Sequence, residues 1–76
     1  MPKLVPIHWK KFDKFLKYMG CTFEREEGDH RIYWRDDLTR PIVVVKETAI
    51  PKFIIRSNLR TLGMSTTEYL RILEQL

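Results

Sequence analysis

The sequence predicts an α+β fold in which two helices cover one face of a three-stranded antiparallel sheet. Three observations predict it. Apolar residues recur at helical spacing over residues 8–19 and again after Pro51. Three short runs rich in β-branched and aromatic types lie between those helices. The connections between the runs are too short for parallel crossovers.

The first helix is read over residues 8–19, with Trp9, Phe12, Leu16 and Met19 on its buried face and Gly20 as the left-handed residue that ends it. Thr22–Glu26 follows as a strand, closed by the turn Glu27-Gly28-Asp29. His30–Arg35 is a second strand and Ile42–Lys46 a third, joined by the polar connection from Asp36 to Pro41. Pro51 suits the first turn of a second long helix, whose missing N–H is not needed there. Ile55, Leu59 and Leu62 form its apolar seam and Gly63 closes it. Ser65-Thr66-Thr67-Glu68 has the spacing of a capping box and opens a short last helix through Leu73. The order is α-β-β-β-α with a short terminal helix, and residues 1–76 read as a single domain. Double-stranded-RNA-binding domains share that order, although a fold alone does not fix a function.

Composition narrows the chemistry. A chain of 76 residues with 43% apolar content has the makeup of a small globular protein rather than a disordered one. Cys21 is the single cysteine, so neither an internal disulfide nor a multi-thiolate metal site can form. His8 and His30 lack any metal-ligand spacing, and no metal or cofactor is expected. The opening residues Met1 to Ile7 hold no apolar run long enough for a signal peptide or a membrane span, which predicts a cytoplasmic protein without membrane contact. The net charge of +4 suits a polyanion, or an acidic protein. No helix-turn-helix signature is present, so direct DNA binding is not expected.

The unusual stretch is Glu27-Gly28-Asp29-His30, followed by Ile32-Tyr33-Trp34. Gly28 permits a tight turn and close approach of a ligand. His30 then stands at the mouth of a strand, where an imidazole can take or give a proton near neutrality. A lone histidine at a strand start is nevertheless more often structural or merely exposed. Alternation puts His30 on the face of Ile32 and Trp34, which leaves open whether that face is buried. Asp29 offers no ready-made dyad, since adjacent strand residues point to opposite faces; it can orient His30 through the turn or simply stabilise that turn.

Two basic stripes complete the candidates. Lys10, Lys14 and Lys17 share a face of the first helix, and Lys52, Arg56 and Arg60 repeat every four residues on the second. Read without acidic partners at helical spacing, they repel one another slightly, which favours a phosphate-binding role. Trp34, Tyr33 and Phe53 have the chemistry to stack on bases, but core packing is the expectation for each. Cys21 reads as a small packed residue.

These residues resemble the HicA-type toxins (YcfA-like proteins) from end to end. The likeness rests on Leu16-Lys17-Tyr18-Met19-Gly20-Cys21-Thr22-Phe23, then Gly28-x-His30 opening a strand with Ile32-Tyr33, and the strand Val43-Val44-Val45. It continues through Ile50-Pro51-Lys52-Phe53-Ile54-Ile55-Arg56-Ser57-Asn58-Leu59-Arg60 and Leu62-Gly63-Met64-Ser65-Thr66-Thr67-Glu68-Tyr69-Leu70. The resemblance implies the toxin of a type II toxin–antitoxin pair, a metal-independent endoribonuclease that cleaves mRNA and is neutralised by a HicB-type antitoxin. It makes His30 the counterpart of the family's catalytic histidine; the charge pattern and the turn put Gly28, Asp29 and the lysines and arginines of both stripes at the RNA as the candidate contacts. Two positions depart from the family. Asp29 stands where the family has serine, and Lys46-Glu47-Thr48 where many members carry Pro-Arg-His. A non-catalytic RNA-binding module and a degenerate toxin that only binds its partner remain the competing readings.

Overall fold

A computed structural model describes residues 3–76; Met1 and Pro2, part of the opening stretch read for a targeting signal, lie outside the described residues. Helix α1 (Trp9–Tyr18) is followed by strands β1 (Thr22–Glu27), β2 (His30–Trp34) and β3 (Ile42–Val45), then helices α2 (Lys52–Leu62) and α3 (Thr66–Leu73). The strands form one antiparallel sheet in the order β1-β2-β3, so the predicted α+β meander is what forms.

Local chemistry sets the element ends. The His8 imidazole caps α1 by accepting from the Lys10 amide at 3.1 Å, a role the sequence reading did not give it. Arg35 donates to the Met19 carbonyl at 2.8 Å and so satisfies one of the acceptors left open at the end of α1. Gly63 ends α2 in the left-handed conformation. At α3 the Ser65 hydroxyl accepts from the Glu68 amide, while the Glu68 carboxylate takes the Ser65 hydroxyl rather than the backbone N–H of a full capping box.

The core lies between the helices and one sheet face. Phe12, Phe15 and Leu16 of α1 and Ile55, Leu59 and Leu62 of α2 meet Tyr33, Ile42 and Val44 from the sheet, with Tyr69 of α3 packed edge-on against Phe15. Trp9 and Met19, expected on the buried face of α1, are only half-buried, and Phe15 fills the place between Phe12 and Leu16. Cys21 is buried as expected, and burial pushes its thiol above the ordinary value. Phe53 corrects another expectation: it is 67% exposed on α2 and takes no part in the core.

A polar network ties α1 to β2. Tyr33 donates its hydroxyl to Asp13, Arg31 donates to the Tyr33 oxygen at 2.9 Å, and Arg31 and Lys46 both pair with Glu26 at 3.1 Å. Burial alone would raise the Asp13 carboxyl, but the hydrogen bond from Tyr33 and the ammonium of Lys17 hold it below its usual value. Burial, helped by the Asp13 carboxylate against the pull of Arg31, moves Tyr33 up to about 12. The two sheet edges differ. β1 is exposed along its whole length and its pairing with β2 slips at a bulge between Phe23 and Arg25. On the other side, the Asn58 side-chain amide of α2 donates to the Val43 carbonyl of β3 at 3.1 Å.

Candidate active site

The Gly28-Asp29 turn joins Glu27 of β1 to His30 of β2 as a two-residue hairpin loop. Gly28 has φ +62° and Asp29 does not have a positive φ, the pattern of a II′ turn, which asks for glycine at its first central position. The Asp29 carbonyl accepts from the Lys46 amide at 2.8 Å, which holds the turn against the end of β3.

The register decides the face of His30. Directly opposed residues share a face, and His30 pairs with Val45 as Ile32 does with Val43. The core takes Tyr33, Ile42 and Val44 from the alternate positions, so His30 stands on the face turned away from the core. Ile32, between Arg25 and Val43 on its neighbouring strands, is still buried there, whereas the His30 side chain is 52% exposed.

Asp29 lies in the turn, as the sequence reading had it, so strand alternation does not send its side chain to the other face. Its carboxylate oxygen lies 3.1 Å from Nδ1 of His30. At that separation the carboxylate attracts the ring when the imidazole carries a proton.

His30 borders a cleft of about 320 Å³ between β3 and α2. Its walls are apolar (Pro41, Val43, Val45 and Ile54), and Ser57, Asn58 and Thr61 bring polar groups from α2. Since His30 pairs with Val45 and Arg40 precedes Ile42, the two basic side chains flank opposite ends of β3. β3 itself rises roughly 10 Å from Ile42 to Val45, and Arg40 lies two residues beyond Ile42. A smaller depression, lined by Thr39, Arg40, Ser57, Arg60 and Thr61, adjoins the Arg40 end.

The other sequence candidates are distributed unevenly. Lys10, Lys14, Lys17, Lys52, Arg56 and Arg60 are all exposed. Lys17 is not unpaired, as read from the sequence, because Asp13 one turn earlier holds it at 3.1 Å. None of the three lysines of α1 lines the His30 cleft. Lys52 and Arg56 line a separate depression with Lys3 and Leu4, and only Arg60 reaches the depression beside Arg40. Arg40 was missed because it sits in a polar connection with no periodicity to mark it. Of the aromatic candidates, Tyr33 is fully buried and Trp34 half-buried, while Phe53 is open to solvent.

Among the described residues, no three His, Cys, Asp or Glu side chains are grouped to hold a metal ion, and no helix is long and apolar enough to cross a membrane. No curated protein and no solved structure matches the chain. The family model of the HicA toxin of bacterial toxin–antitoxin systems matches residues 9–64, which takes in α1, the whole sheet and α2. On that match, the chain belongs to the HicA toxin family.

Proposed function

We propose that this protein is a metal-independent endoribonuclease that cleaves mRNA, with His30 as its general acid and base. The observation that carries the reading is the half-exposed His30 imidazole, with the Asp29 carboxylate 3.1 Å from Nδ1, bordering a cleft whose far end is cationic. In the step envisaged, Nε2 removes the proton of a ribose 2′-hydroxyl and the 2′-oxygen attacks the adjacent phosphorus. The bond to the 5′-oxygen breaks, and that oxygen takes up the proton now held on Nε2, or one from water, as it leaves. The products are a 2′,3′-cyclic phosphate and a 5′-hydroxyl. Nearby cations stabilise the charge that builds on the phosphate oxygens.

Membership of a toxin–antitoxin family supports an antitoxin partner, and we take that partner to be HicB-type. Such a partner would cover the His30 face, since the other face of the sheet already carries the helices. The candidate RNA contacts are Gly28 and Asp29 at the turn and the exposed lysines and arginines of α1 and α2.

The test is cleavage of an end-labelled mRNA, with chelator present, by wild-type protein and by His30→Ala, after circular dichroism has confirmed equal folding. Cleavage by the wild type alone, leaving a cyclic phosphate end, supports the reading. Equal cleavage by both proteins, or cleavage abolished by chelator, overturns it.

A further inference from the structure

The cleft between β3 and α2 has a form that proton transfer at His30 does not require. Val43, Val45 and Ile54 give it apolar walls, the hydroxyl residues Ser57 and Thr61 stand on its α2 side, and no aspartate or glutamate lines it. Arg40 closes the end remote from His30 and also lines the next depression along, where Arg60 joins it. Arg40 has no carboxylate within ion-pair distance among the described residues, unlike Arg25, Arg31 and Arg35. A flat heterocycle with polar edges and a phosphate on either side fits these walls and charges: apolar side chains take the ring faces, hydroxyls meet the edges, and guanidiniums take the phosphate oxygens.

The geometry points to a single-stranded RNA track that starts at His30, seats one base in the cleft, and continues over Arg40 and Arg60. Arg40 is then a positioning residue, not a catalytic one. A span of at least roughly 10 Å along β3 puts the phosphate at His30 and the phosphate at Arg40 on different nucleotides. Arg40 therefore fixes the register of the strand without touching the reacting atoms. A track of this form selects single strands, because a base seated between β3 and α2 has left any helical stack.

This inference rests on the nuclease reading for its orientation, so the test measures binding apart from cleavage. The probe is a short, fully 2′-O-methylated single-stranded RNA, which cannot be cut by attack of a 2′-hydroxyl. Its titration should move the methyl resonances of Val43, Val45 and Ile54. Arg40→Met and Ser57→Trp, the second filling the cleft from the exposed side of α2, should each weaken binding about tenfold. Arg40→Met should also lower the salt dependence by about one phosphate contact. Arg71→Met, which removes the same charge from α3, should leave affinity unchanged.

Unchanged affinity in both cleft variants, methyl shifts confined to other surfaces, or no binding of the probe by the wild type would overturn the track. If His30-dependent cleavage survives such a result, the nuclease reading stands without it. If no RNA is cut while the methyls move and both variants weaken binding, the track stands and the nuclease reading falls.

Discussion

Asn58 donates its side-chain amide to the Val43 carbonyl at 3.1 Å, so α2 is fastened to the edge of the sheet by a side chain rather than by apolar contact alone. Asn58 is the buried polar or charged residue among those described. Replacing it with leucine leaves a backbone acceptor without its partner, which costs about 1–3 kcal/mol. For a domain of this size the melting temperature should fall by roughly 4–8 °C for each kcal/mol. Thermal unfolding followed by circular dichroism measures this, and an unchanged melting temperature would deny the amide its role.

Tyr33 predicts a loss of stability in alkali. Its hydroxyl is raised from 10.0 to about 12, so the folded state holds that proton more tightly than the unfolded chain. Its contribution is complete below the unfolded value and disappears as pH rises through the folded one. Melting temperatures measured from neutral pH upward should decline over that interval. Tyr33→Phe should show a shallower decline from a lower starting point, with Tyr69, also raised to about 12 by burial, accounting for the remainder.

At the acid end the sign reverses. The Asp13 carboxyl is held below 3.8, so its contribution is present above that value and is lost as pH falls through the lower, folded one. Asp13→Asn should be less stable at neutral pH and should lose less on acidification than the wild type. Parallel acid profiles for the two proteins would mean that the network through Tyr33 and Lys17 contributes nothing.

Asp29 supplies a kinetic prediction. If its carboxylate orients the His30 ring, Asp29→Asn should slow cleavage by about an order of magnitude, against the hundredfold or greater loss expected of His30→Ala. Faster cleavage by Asp29→Asn would instead mean that the carboxylate chiefly repels the RNA phosphate. Affinity for a non-cleavable RNA separates the two, since repulsion relieved must appear as tighter binding.

Phe15 and Phe53 should respond very differently to truncation. Phe15→Ala opens a hole in the fully buried core and should cost about 3–5 kcal/mol. Phe53→Ser, on the solvent side of α2, should stay within about 0.5 kcal/mol of wild type. A denaturant titration of both variants decides the comparison.

The elements were legible in the sequence because periodicity and glycine punctuation act locally. Strand bounds fell within a residue of those observed, and Gly20 and Gly63 end their helices with the positive φ expected of them. The helix faces were less legible. A 3.6-residue repeat allows either Trp9 or Phe15 to share a stripe with Phe12 and Leu16, and only the packing of Tyr69 against Phe15 settles the choice. At the candidate site, His30 and Gly28 announced themselves through residue type and spacing. Asp29 was placed in the turn, but strand alternation extended one residue too far argued against its carboxylate standing as close to His30 as it does. Arg40 carried no signal, since its place beside the cleft follows from how the β2–β3 connection leads into β3, far along the chain from α2. Lys17 was misread through attention to residues after it rather than to Asp13 one turn before.

The unequal edges of the sheet have a consequence for solubility. A bare strand edge templates the pairing of further chains, and natural proteins blunt it with charge and irregularity. Here α2 occupies the β3 side through Asn58, while the free β1 side carries Glu24, Arg25, Glu26 and Glu27 and breaks its ladder at the bulge. A second copy approaching β1 meets an interrupted row of amides and carbonyls beneath charged side chains already paired with one another. The molecule thereby resists fibrous growth at both margins while keeping the His30 face of its sheet open.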